Sequence, residues 1–183
     1  MVVPSWVTIA YSQLTAYFVH LKVFLMVTSA ASVESTKKQN EPRSDGVQAF
    51  WRFSSNRDTL KDSERIKQIK EGFSAELVHA FRVTFALQER SIEILMNAST
   101  STLERRRREH KKLDSVASER LDRIAAVCGL AEEVFESQEG AAQWMSKPNK
   151  ALGENAPIML CETEIGAKQV RRVLQALEWG GVA

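Results

Sequence analysis

The sequence predicts an all-α protein in which a helix-turn-helix N-terminal part is followed by a smaller helical part. Three observations point there. Beyond residue 47, apolar side chains recur at the three- and four-residue spacing of a helix that buries one face. The alternating β-branched runs expected of strands are missing. Seven glycines, Gly72, Gly129, Gly140, Gly153, Gly166, Gly180 and Gly181, are all that interrupt residues 47–183. The 183 residues are 44% hydrophobic and 26% charged, enough apolar material for a core and too much for a wholly disordered chain.

The net charge of +2 does not mark a nucleic-acid binder, but its distribution is uneven: +4 over residues 1–70, +1 over 71–128 and −3 over 129–183. The central balance hides a dense positive cluster. Cys128 and Cys161 are too few for a disulfide scaffold or a cysteine metal knuckle. Both sit in apolar runs, so buried free thiols in a reducing cytoplasm are expected.

Residues 1–31 are apolar and aromatic, yet His20 and Lys22 interrupt them, and the ~20 consecutive apolar residues of a membrane span are not there. Three readings stay open: translation starting at Met26, which is preferred; a signal or anchor, with Ser29-Ala30-Ala31 as a cleavage site; or an ordered extension. Residues 32–46, polar with Pro42 and Gly46, read as a linker. The expected organisation is an extension and linker over 1–46, a helix-turn-helix domain over 47–128 and a C-terminal binding domain over 129–183.

Residues 57–71 carry a thin stripe of Leu60, Ile66 and Ile69 and read as an exposed helix. Ser74 can cap a helix bearing Leu77, Val78, Phe81 and Phe85. A short helix over about 88–96 turns Ile92, Leu95 and Met96 inward, and Asn97-Ala98 makes a tight connection. Ser99 or Ser101 then caps a third helix, with Ser101-Thr102-Leu103-Glu104 at capping-box spacing.

Two short helices around a tight turn, the second with a basic face, form the helix-turn-helix arrangement. Thr100, Ser101 and Thr102 stand at the N-terminus of the second helix, where base edges are met. Arg105 to Arg108, Lys111 and Lys112 follow, so residues 99–112 carry six basic and two acidic side chains. Four consecutive arginines spread over about 300 degrees and cannot share one face. Arg105 and Arg106 are expected toward DNA, with Ser99, Thr100, Ser101, Thr102, Arg108 and Lys111 completing the candidate set. The alternative is a solvated face with internal pairs such as Glu104 with Arg108.

Residues 118–137 form an amphipathic helix. Leu121, Ile124, Ala125, Cys128, Ala131, Val134 and Phe135 line one side, and Glu132, Glu133 and Glu136 the other. Gly129 inside it suggests close packing. Pro148 should stop a helix containing Trp144, and Asn149 and Gly153 suit a turn with positive φ. Pro157 can start a short helix. Thr163 caps a last helix with a stripe of Ile165, Val170, Val173, Leu174 and Leu177, and Gly180 ends it.

The order A-x-x-W-M-x-x-P-N-x-A-L-G over residues 141–153, then P-I-x-L from Pro157, then T-E-I-G-x-x-x-V-x-x-x-L from Thr163, resembles the C-terminal toxin-binding region of Xre/MbcA/ParS-type antitoxins. The upstream S-T-L-E-R-R resembles that family's helix-turn-helix part. The resemblance covers about residues 70–182. The family usually has a second glycine after L-G, where this chain has Glu154. The resemblance implies an antitoxin of a type II toxin–antitoxin pair: a helical homodimer that inhibits a RES-domain, NAD-degrading toxin and represses the shared operon. It implies no cofactor and no membrane partner. It places toxin contacts among Trp144, Asn149, Leu152, Arg171, Arg172, Glu178, Trp179 and Gly180. Trp is enriched at interface hot spots. Of the two, Trp144 reads better as core and Trp179 as interface, and the acidic C-terminal part is expected to carry the contact.

Catalysis finds little support. The histidines are His20, His79 and His110. Glu76 and His79 have the E-x-x-H spacing of a metal pair, but a di-metal bundle needs two such pairs. HExxH and a phosphate-binding glycine loop are absent. Two other readings remain: a helix-turn-helix transcription regulator without a toxin, and a helical adaptor whose arginines only pair internally.

Overall fold

The computed structural model describes residues 41–180, apart from the side chains of residues 41–43 and 58. The expectations for residues 1–40, and for the tail after Gly180, lie outside the described residues. Among the described residues nine α-helices follow one another: α1 Glu41–Thr59, α2 Asp62–Glu71, α3 Glu76–Thr84, α4 Glu89–Met96, α5 Thr100–Arg108, α6 Ser115–Phe135, α7 Gln138–Ser146, α8 Pro157–Leu160 and α9 Glu164–Gly180. A 3-10 turn, Lys150–Leu152, precedes α8. Among the described residues there is no strand, only two isolated bridges, Ser74–Lys112 and Asn149–Asn155. The all-α fold class is as the sequence predicts.

The linker reading fails at its C-terminal end, because residues 41–46 form the first turns of α1. Aromatic burial is what holds α1 in place. Phe50 and Trp51 are buried, and Phe50 meets Phe81 at 5.6 Å and Phe85 at 5.2 Å between ring centroids. Burying such rings stabilises by roughly 1.5–3 kcal/mol each, more than the weak helix propensity of a Gly-containing polar stretch costs. The exposed helix expected over 57–71 is confined to α2, which buries no side chain; residues 57–59 end α1, and Arg57 is buried.

The 21-residue helix α6 is the spine, about 31 Å long at 1.5 Å per residue. It packs against α1, α2, α4, α7 and α9. Asp114 caps it by accepting from Ala117 N–H at 2.8 Å, so it starts three residues before the expected Ser118. Leu121, Ile124, Ala125, Val127, Cys128, Gly129 and Ala131 are buried along it.

One ionic cluster lies inside. Arg57 on α1 donates to Asp122 on α6 at 3.1 Å and to Gln68 on α2 at 2.5 Å. Arg65 also pairs with Asp122. The Arg57 guanidinium lies over the rings of Phe53 and Phe73, 4.7 and 5.2 Å from their centroids. Nearby, Ser54 donates to the Ala125 carbonyl at 2.7 Å, and Ser118 accepts from Phe73 N–H at 3.1 Å.

Candidate functional site

Helices α4 and α5 form the expected helix-turn-helix. Asn97 takes the left-handed conformation at φ +51° and ends α4. Ser99, not Ser101, caps α5: its hydroxyl accepts from Thr102 N–H at 3.3 Å and lies 2.9 Å from the Thr102 hydroxyl. The capping box expected at Ser101–Glu104 does not form, because Ser101 is already inside the helix.

Glu93 on α4, which the sequence reading passed over, holds the start of α5. One carboxylate oxygen accepts from both Thr100 N–H, at 2.8 Å, and the Thr100 hydroxyl, at 3.0 Å. These two hydrogen bonds hold the Glu93 carboxyl below its usual pKa. Thr100, a candidate DNA contact, is therefore committed to fixing the angle between the two helices. The contact crosses the turn, so no helical spacing announces it.

The four arginines divide by orientation and partner. Leu103 is buried beneath α5. Ser101, Arg105 and Arg108 lie roughly 140–200 degrees around the helix from it, at ~100 degrees per residue, and all three are exposed. Neither Arg105 nor Arg108 meets a carboxylate within 4 Å among the described residues. Arg107 faces back and pairs with Glu104 at 3.0 Å and with Glu76 at 4.0 Å. This i,i+3 pair replaces the expected Glu104–Arg108 pair. Arg106 bends toward the following turn and donates to the Lys112 carbonyl at 2.7 Å. The expectation that Arg106 leads toward DNA beside Arg105 thus meets a different geometry, in which Arg108 shares the outward face. Lys111 is exposed but paired with Glu109 at 2.8 Å.

The C-terminal part is built around a tight loop. Ser137 caps α7, and the helix stops at Ser146, just before Lys147-Pro148, as the proline requires. Trp144 is half-buried and packs on Phe135, with ring centroids 5.7 Å apart. Asn149 does not take positive φ, at −125°, whereas Gly153 does, at +67°. The Asn149 side chain instead accepts from Ala151 N–H at 2.9 Å, and its carbonyl accepts from Glu154 N–H at 3.0 Å. Leu152 is buried. Asn149 and Leu152 thus shape the loop from inside. Glu154, in the family's usual glycine position, sits at φ +62°.

Thr163 caps α9 as expected, accepting from Gly166 N–H at 3.1 Å. The glycine of T-E-I-G has a steric reason: a Cβ on Gly166 would stand 2.0 Å from the Leu160 carbonyl oxygen. Ala167, Val170 and Leu174 turn inward. Ile165, placed in that inner stripe by the sequence reading, is 77% exposed. It lies about 140 degrees from Val170, at ~100 degrees per residue. The same outward side holds Lys168, Arg172 and Trp179, the last 80% exposed. Arg171 is half-buried and paired with Glu164, Glu178 is exposed, and a Cβ on Gly180 would touch nothing within 4 Å. This face is apolar and basic, within a C-terminal part whose net charge is −3.

Helix α6 ties the two parts together. Arg120 donates to the Ile94 and Leu95 carbonyls at the end of α4, at 3.0 and 3.3 Å. One turn on, Arg123 donates to the Cys161 and Glu162 carbonyls beyond α8, at 3.1 and 2.9 Å. No cluster of three or more His, Cys, Asp or Glu side chains suited to a metal occurs among the described residues, and His79 is exposed on α3. No described helix is long and apolar enough to cross a membrane.

These two halves match known domains. Residues 64–126 match the antitoxin Xre-like helix-turn-helix domain. Residues 130–180 match the antitoxin Xre/MbcA/ParS C-terminal toxin-binding domain. Antitoxin Xre of Yersinia enterocolitica is 32% identical over 116 residues, which is 63% of this chain and 78% of that protein. The Prs ADP-ribosylating antitoxin of a Sphingobium species is 26% identical over 129 residues, 66% of this chain and 81% of that protein. With a capped recognition helix and the T-E-I-G helix both tied to α6, the chain belongs to the Xre family of type II antitoxins, built from a helix-turn-helix domain followed by a toxin-binding domain.

Proposed function

We propose that this chain binds and neutralises a RES-domain toxin that degrades NAD and represses its own operon as a homodimer. It acts as a regulator and not as an enzyme. The observation that carries the reading is the pair of separate outward faces on one fold. Ser101, Arg105 and Arg108 look outward from a capped recognition helix, and Ile165, Arg172 and Trp179 look outward from α9. The first face suits the major groove, with Ser99 and Thr102 at the helix start. A two-fold dimer sets two such helices about 34 Å apart on successive turns of DNA. The second suits a protein partner, with Trp179 as anchor and Glu178 and Gly180 beside it. Residues 47–128 serve DNA and 129–183 the toxin, with α6 common to both.

A growth assay tests this. The adjacent reading frame is induced alone and then with this chain. Arrest, rescue on co-expression and co-purification of the two proteins are expected, with cellular NAD falling only in the arrested cells. Arrest without rescue sinks the reading. The name of the Sphingobium relative favours a second version, in which the toxin transfers ADP-ribose to a protein. An ADP-ribosylated target in the arrested cells, at undiminished NAD, selects it.

A further inference from the structure

We propose that the turn after the recognition helix, residues 109–113, is a phosphate clamp: Lys112 grips the nucleic-acid backbone and Arg106 is the residue that positions it. The proposal rests on the DNA-binding reading and assigns a contact that the recognition-helix face does not include.

Six basic residues fall between 105 and 112. Among the described residues only two of them meet a carboxylate, Arg107 with Glu104 and Glu76, and Lys111 with Glu109. Arg105, Arg106, Arg108 and Lys112 meet none. Four positive charges without an ion pair, within eight residues, repel one another, and a polyanion relieves that repulsion. Arg106 is the informative one. Its guanidinium is hydrogen-bonded to a neutral carbonyl, so its position is fixed while its charge stays available.

The turn is also held more firmly than a solvated loop requires. Leu113 N–H donates to the Phe73 carbonyl at 2.8 Å, and Lys111 N–H to the Arg106 carbonyl at 2.8 Å. Ser74 and Lys112 form an antiparallel bridge. Gly72 closes the junction from below: a Cβ there would lie 2.3 Å from the Leu113 carbonyl oxygen. His110 accepts a left-handed φ of +51° so that the chain can reverse. The result is an exposed lysine at a fixed offset from α5. Phosphate contacts of this kind set a protein's register on the duplex without reading sequence.

The test titrates the full chain against two duplexes, the DNA upstream of its own reading frame and a random-sequence duplex of equal length, over a range of KCl concentrations. One lost phosphate contact flattens the slope of log K against log[KCl] by about 0.9, which is about eightfold in affinity at 0.1 M salt. Lys112→Ala is expected to do this equally on both duplexes, with no change in thermal midpoint. Arg106→Lys keeps the charge but loses the strut. It is expected to flatten the slope on both duplexes as Lys112→Ala does, at an unchanged thermal midpoint, which a merely structural role would not produce. An unchanged slope for Lys112→Ala, with the wild type binding normally, overturns the clamp and leaves the recognition helix standing. A wild type that binds neither duplex overturns both.

Discussion

Replacing Asp122 tests whether the ionic cluster inside the fold holds the helix-turn-helix part to the spine. Asp122 is 4% exposed, and its two carboxylate oxygens take Arg57 and Arg65. Arg57 is itself 4% exposed, and its Nε has no hydrogen-bond partner, so its charge has few other outlets. Asp122→Ala therefore leaves a buried guanidinium facing an empty acceptor site. Breaking one side of a buried pair costs about 3–5 kcal/mol. A domain of this size holds only about 5–15 kcal/mol in total, so the variant should sit near the edge of folding. Urea denaturation followed by circular dichroism measures the loss. Asp122→Asn, which keeps an acceptor, should lose less. The double change Arg57→Met with Asp122→Leu should recover most of it, because a hydrophobic pair of similar volume replaces a buried ion pair at little cost. A loss under about 1 kcal/mol for Asp122→Ala, well below the cost of breaking a buried pair, would refute the reasoning.

Three further predictions use the same denaturation assay or a simple reagent. Glu154 sits at φ +62°, where a side chain is strained, so Glu154→Gly should stabilise by about 0.5–1 kcal/mol, and a destabilised variant would contradict the strain argument. Gly166→Ala forces α9 away from the Leu160 carbonyl, so it should destabilise by about 1–3 kcal/mol and weaken toxin binding with it. Burial pushes the Cys161 thiol up to about 12 and the Cys128 thiol well above its ordinary value. Both should resist iodoacetamide at pH 8 until urea is added. Since the unfolded thiols ionise first, the stability they contribute is complete below the ordinary thiol value of 9 and is lost as pH rises toward 12.

Much of the fold was legible in the sequence because capping and burial act locally. Ser99, Thr163, Pro157 and Pro148 each stand where the chain starts or stops a helix, and the stripe along α6 reads directly as core. What escaped depends on partners distant in sequence. The polar start of α1, residues 41–46 with Pro42 and Gly46, reads as linker, because the rings that seat the helix, Phe81 and Phe85 against Phe50 and Trp51, lie far along the chain. Ile165 reads as core by hydrophobicity, yet its angle around α9 points outward. The division of the arginines was half visible. Four in a row cannot share a face, but the partners that draw two of them inward, the Lys112 carbonyl and Glu76, lie across turns. Glu93 escaped for the same reason.

The central claim is that two separate faces of one fold carry two separate activities. The most direct measurement makes Arg105→Ala with Arg108→Ala in one variant and Ile165→Ser with Trp179→Ala in another. Each is assayed for binding to the upstream DNA and for rescue of growth arrest by the adjacent reading frame. The account predicts that the first loses DNA binding and still rescues, while the second binds DNA and fails to rescue. A variant pair that loses both activities together, or neither, while remaining folded by circular dichroism, would contradict it.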